Sequence, residues 1–187
     1  SIPYILEKGF SGVFLDNLDM VDVYPWMKEC LISLIKEIMS RYPGIIIVVN
    51  RGFTIIDDIA PYIDAVLFEC FGTYYDFKTG KYLKWTGGDY QWITSVAEHL
   101  VELRGKCNIT VLALGYADLG NETMLQEYSN YVNSLAEEYG FIPYVAEVSL
   151  MKVNPLYPQI LSMHRSPTPG TTTITPTAKT TINQTFR

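Results

Sequence analysis

Five short apolar runs, each stopping on a polar or glycine residue, constrain this chain more than any other feature. They are Val13-Phe14-Leu15 before Asp16, Ile45 to Val49 before Asn50, Ala65 to Phe68 before Glu69, Ile109 to Leu114 before Gly115-Tyr116, and Phe141 to Ala146 before Glu147. Short runs of this kind, bounded by glycine and polar residues, read as strands buried on both faces, as in a parallel sheet. The intervening segments carry a different period. Met27, Leu31, Leu34, Ile35 and Ile38 form a helical stripe between Trp26 and Arg41, and Tyr42-Pro43-Gly44 stops it. A short helix is expected over Thr54–Tyr62, a longer one over Asp89–Arg104 and another over Glu122–Tyr139, closed by Gly140. The aromatic, glycine-bearing stretch Phe71–Gly88 reads as an active-site loop without regular structure.

Strand and helix alternate throughout, which predicts an α/β fold with a parallel sheet and right-handed crossovers. Five strands suit either an open doubly wound sheet or part of an eight-stranded barrel. No Gly-rich phosphate loop follows any strand, which counts against a nucleotide-binding open sheet. Polar residues at the same end of the strands favour the barrel, where the chemistry collects at the C-terminal ends.

Composition narrows the function classes. At 48 % apolar and 18 % charged residues, the 187-residue chain is globular. A net charge of −6 argues against a nucleic-acid surface and is compatible with a cationic ligand. No apolar run approaches the roughly 20 residues that span a bilayer. Cys30, Cys70 and Cys107 show no metal-ligand spacing, and His99 and His164 are too scattered for a triad or a zinc site, so neither metal nor cofactor is expected. Beyond about Ser166, Pro, Thr and Ser dominate, predicting a disordered Thr/Pro-rich linker over 166–187 after a domain over 1–165, with room for a further domain beyond it. That stalk-like composition and the Asn-X-Thr triplets at Asn108, Asn121 and Asn183 point to a secreted, extracellular protein. The chain starts without Met and enters a helix end at Tyr4–Lys8, as a processed protein or a piece of a longer one would.

Asp16 and Glu69 end alternate strands, with the Asn50 strand between them. In a barrel such positions point inward in one layer, so two acids can face each other across the mouth. A carboxyl pair about 5–5.5 Å apart suits a retaining glycosidase and one about 6.5–9.5 Å apart an inverting one. Glu69, between Phe68 and Phe71, is expected in apolar surroundings that suit the acid/base. Asn50 is placed either to bind a sugar hydroxyl and orient a carboxylate or simply to make a turn. Tyr116 is placed to stack on a sugar or to pack the barrel rim, and Asp118 to bind substrate or cap the next helix. Asn17 and Asp19 join the candidate substrate-binding set, although Asp19, like Asp22, also suits a loop or capping role.

Five segments taken together carry a family resemblance: Gly9 to Asp19, Val48-Val49-Asn50-Arg51-Gly52, Val66-Leu67-Phe68-Glu69, Leu112-Ala113-Leu114-Gly115-Tyr116, and Gly140-Phe141-Ile142-Pro143-Tyr144. From Gly9 to about Leu150 the chain resembles glycoside hydrolase family 114, the endo-α-1,4-polygalactosaminidase-like enzymes on a (β/α)8 barrel. The resemblance implies a partial barrel, approximately strands 4 to 8, without the first three. It also implies a retaining endo-glycosidase acting on galactosamine-rich polysaccharide, with Asp16 and Glu69 as its catalytic pair. A non-catalytic carbohydrate-binding or cell-surface module on the same barrel, and a hydrolase of another glycan, are the rival expectations.

Overall fold

The computed structural model describes residues 1–157, which form one compact unit. The linker expected over 166–187, His164 and the Asn183 triplet lie outside the described residues. Helix α1 (Ile2–Glu7) leads into β1 (Gly12–Leu15). The short α2 (Met20–Val23) and a 3-10 turn at Pro25–Met27 precede α3 (Lys28–Arg41) and β2 (Ile46–Asn50). The short helix expected after β2 is broken into a 3-10 turn, α4 (Ile56–Ile59) and a second 3-10 turn. Then come β3 (Ala65–Glu69), a hairpin of β4 (Thr73–Asp76) and β5 (Lys81–Lys84), α5 (Gly87–Cys107), β6 (Thr110–Tyr116), α6 (Glu122–Tyr139) and β7 (Ile142–Ala146).

The main sheet is parallel, in the order β1-β2-β3-β6-β7. Sequential order with right-handed crossovers puts every connecting helix on the same side. This is the winding of a (β/α)8 barrel segment; a doubly wound sheet would reverse its order and cover both faces. Ile47, Val49, Val66, Phe68, Val111, Ala113 and Val145 point to the helix side. There they pack with Ile35, Ile38, Ile93, Leu100, Val132 and Leu135 in one core.

Among the described residues the opposite face has no helical cover, which corrects the expectation of strands buried on both sides. Phe14 is 52 % exposed, Ile46 47 % and Ile142 57 %, all on that face. Next to them Leu67, Leu112, Leu114 and Tyr144 line an apolar pocket of about 540 Å³. The pocket includes neither candidate acid. In a closed barrel this face is interior and filled by side chains from all the strands.

The Phe71–Gly88 stretch is a second departure from expectation, because its middle is the antiparallel hairpin, with Tyr75 opposite Tyr82. A two-stranded hairpin is marginal alone, and this one is anchored to the main sheet. Buried Thr73 accepts the Tyr116 N–H through Oγ1 at 2.8 Å, and Trp85 Nε1 donates to the Cys70 carbonyl at 2.7 Å. Gly115 makes this approach possible. A β-carbon there would lie 2.7 Å from Thr73 Oγ1, 2.6 Å from Val132 Cγ2 and 3.1 Å from the Phe71 carbonyl oxygen. Gly115→Ala is therefore expected to destabilise the fold by about 1–3 kcal/mol. Gly88→Ala faces open space and should be neutral or slightly stabilising. Urea denaturation midpoints of the two variants check the contrast.

Candidate active site

Strand periodicity builds the site. Side chains alternate across a strand, so Asp16 follows Phe14 onto the uncovered face, Asn50 follows Val48, Glu69 follows Leu67, and Tyr116 follows Leu114. Register then brings them together. Leu15 pairs with Val49, which sets Asp16 level with Asn50. Asn50 pairs with Leu67, and Glu69 with Leu114, so each next strand reaches two residues further before its polar end. Four side chains from four strands converge at the C-terminal edge.

Asn50 joins the two acids. Its Nδ2 donates to Asp16 Oδ1 at 2.9 Å and to Glu69 Oε2 at 2.8 Å. The other oxygen of Glu69 accepts the Tyr116 hydroxyl at 2.6 Å. The Asn50 amide is oriented by this arrangement, since a flip would set its oxygen against two carboxylate oxygens. Its Oδ1 is buried with no partner among the described residues. Because one nitrogen serves both acids, these two carboxylate oxygens lie no further apart than the bonds laid end to end, about 5.7 Å. Asp16 is exposed and Glu69 half-buried.

The surroundings are electronegative. Burial pushes the Tyr116 phenol well above its ordinary range, and the hydrogen bond to Glu69 and that residue's charge push it further. Tyr116 therefore stays a protonated donor throughout the physiological range. The Cys70 thiol is pushed up to about 11, mainly by burial and then by the charge of Glu69, with Arg51 acting weakly the other way. The apolar surroundings expected for Glu69 are not found. Phe68 and Phe71 belong to the fully buried core on the helix side, so Glu69 meets Asn50 and Tyr116 instead.

Backbone geometry fixes the strand ends. Asn17, Arg51 and Cys70, the residues just after Asp16, Asn50 and Glu69, all have left-handed φ values of 58, 56 and 61°. Asparagine tolerates this region, whereas Arg and Cys are held there against a cost of about 1 kcal/mol or more each. The ladder resumes after two of these turns, with Arg51 N–H donating to the Leu67 carbonyl at 3.0 Å and Phe71 N–H to that of Leu114 at 2.8 Å.

The remaining candidates are engaged in the local structure. Asp16 Oδ1 also accepts the backbone N–H of Asn17 at 2.8 Å, which steadies the acid. Asp19 Oδ2 pairs with Arg51 Nη1 at 3.3 Å, tying the loop after β1 to the loop after β2. Asp118 Oδ1 accepts the Gly120 N–H at 2.9 Å in an exposed turn, and α6 is capped by Asn121, whose side chain accepts from Met124 N–H. The expectation that Asp118 caps that helix is thus corrected. Among the described residues, no group of three or more His, Cys, Asp or Glu could hold a metal ion. Sequence reasoning missed Thr73 and Trp85 as the anchors of the hairpin, because nothing in the order of residues shows which strand they reach.

Known structures share this architecture. The glycoside hydrolase domain of PelA from Pseudomonas aeruginosa superposes with a TM-score of 0.67 at 22 % identity, over 80 % of this chain and 58 % of that one. A variant of the same domain matches over the same shares, with a TM-score of 0.67 and 21 % identity. The likeness is one of fold. This agrees with the partial (β/α)8 reading and with the motif resemblance, and the chain spans under two thirds of the domain it matches. No protein-family model and no curated protein matches the sequence.

The raised Cys70 pKa, set first by burial and then by the charge of Glu69, has a measurable consequence. At pH 8 a thiol with a pKa of about 11 carries roughly a hundredfold less thiolate than an ordinary one. Alkylation should therefore consume exposed Cys30 long before Cys70. Replacing Glu69 by Gln should speed the Cys70 reaction by removing one source of negative charge; peptide mapping over a time course reads both effects.

Proposed function

We propose that this chain belongs to a secreted retaining endo-glycosidase that hydrolyses an α-1,4-linked, galactosamine-rich polysaccharide. The observation that supports it best is the single Asn50 nitrogen shared by Asp16 and Glu69, which holds one oxygen of each no further apart than about 5.7 Å, closer to the spacing used for retention than to that for inversion. Asp16, exposed at the mouth, is the nucleophile, and Glu69, half-buried and held by Tyr116, is the acid/base.

In the first step Glu69 gives its proton to the glycosidic oxygen as Asp16 attacks the anomeric carbon. The leaving chain departs with that oxygen, and a glycosyl ester forms on Asp16. In the second step Glu69 takes a proton from water, the water oxygen attacks the same carbon, and Asp16 is released as a carboxylate. Asn50 holds the two acids in register through both steps, and the chemistry requires no metal. A deacetylated galactosamine polymer is cationic, and both the net charge of −6 and the local field around Glu69 attract it. The open sheet face, with exposed Phe14, Ile46 and Ile142, favours a second reading, a module that binds carbohydrate without cutting it.

In the full-length protein, Glu69→Gln should abolish release of reducing ends from the galactosamine polymer while leaving polymer binding intact. Proton NMR of the first product formed should show the anomeric configuration of the substrate. Full activity in the Gln variant, or an inverted product, would sink the assignment, and binding without any wild-type cleavage would favour the binding module. Asn50→Ala should lower kcat by about 10²-fold or more with little change in KM, because it frees the two acids from their common geometry.

A further inference from the structure

The hairpin β4–β5 carries aromatic side chains outward from the acid site. Tyr116, bonded to Glu69, belongs to a small cluster with Leu114 and Ala146, and Tyr82 packs against that cluster. The Tyr82 and Tyr75 rings lie 4.9 Å apart by centroid and tilted at 59°, and Tyr75 and Phe77 meet edge to face, 5.0 Å apart at 85°. Phe77 is 82 % exposed at the hairpin tip. The tip is ordered by its own bonds. Asp76 accepts the Lys78 N–H at 2.9 Å, the Thr79 hydroxyl at 2.6 Å and, through its carbonyl, the Gly80 N–H at 2.8 Å.

The opposite face of the hairpin is occupied, since Tyr74 stacks on Trp85 at 3.7 Å. Cross-strand pairing accounts for Tyr75 and Tyr82. It does not account for Phe77, which lies in a turn already closed by Asp76 and Gly80 and, among the aromatics of the described residues, meets only the Tyr75 ring.

We propose that Phe77, held edge-on by Tyr75 with Tyr82 behind it, forms an aromatic subsite that holds an amino-sugar unit of the polymer beyond the bond at Glu69. The subsite rests on the reading of Asp16 and Glu69 as the cleavage pair, and it is continuous with that site through Tyr116. A pyranose ring presents an apolar C–H face to an aromatic ring, and an ammonium group on the sugar is drawn to the ring's negative face. A platform set apart from the acids adds affinity for a chain long enough to reach both, and not for a single sugar.

The test uses the full-length protein carrying Glu69→Gln, so that no turnover intervenes. Affinity is measured by calorimetry for a soluble α-1,4-galactosamine polymer and for free galactosamine. Phe77→Ala in that background should weaken polymer binding roughly tenfold, leave galactosamine binding unchanged, and be rescued by Phe77→Trp. Phe77 is exposed, so its removal should leave the fold intact, which circular dichroism checks; Tyr75→Leu should act in the same direction. Unchanged polymer affinity in both variants overturns the subsite while leaving the hydrolase reading untouched. Loss of affinity in a protein whose wild type never cuts the polymer supports the subsite and overturns the hydrolase. A wild type that does not bind the polymer overturns the subsite outright.

Discussion

One amide nitrogen holds the candidate site together. Two carboxylates a few ångströms apart repel, and the repulsion grows as water is excluded. Asn50 answers this by turning both protons of its NH₂ group toward the acids, one to Asp16 and one to Glu69. Tyr116 then takes the remaining Glu69 oxygen. Everything else in the fold serves this contact. Parallel strands of fixed register carry the four side chains to one edge, and the helix-side core makes that register rigid.

The hairpin extends the same logic away from the acids. Thr73 fills the gap opened by Gly115 and binds the N–H of Tyr116, so the segment that frames the cleft is fastened to the residue that orients Glu69. Lys84 reinforces the outer side, paired with Glu127 at 2.7 Å and lying over the rings of Tyr128 and Tyr131. A loop without such anchors would wander on the timescale of substrate binding. Docked in this way, the hairpin holds its aromatic side chains in fixed positions.

Much of the architecture is legible from residue order, and the reasons are specific. Ile45 to Val49 and Ile109 to Leu114 are apolar runs between clear breakers, and the strands found there start and stop within two residues of expectation. Asn121 and Gly140 bracket α6 at the bounds read from the sequence. The hairpin escaped because its stability comes from Thr73 and Trp85 reaching distant backbone, which no local pattern reveals. The place of Glu69 was misjudged for a related reason: its phenylalanine neighbours in sequence point the other way in space. Asp16, Asn50, Glu69 and Tyr116 were all visible as strand-end polar residues. That a single nitrogen spans both acids depends on register between strands, which only coordinates supply.

The left-handed residues that follow Asp16, Asn50 and Glu69 carry an evolutionary consequence. Each of these three side chains sits at, or one residue past, the end of its strand, and the main chain swings away from it within one residue. The connecting segments beyond can be lengthened, shortened or exchanged without dragging that side chain along. A scaffold of this kind can hold its strand-end polar residues in place while the segments that follow them change in length and composition.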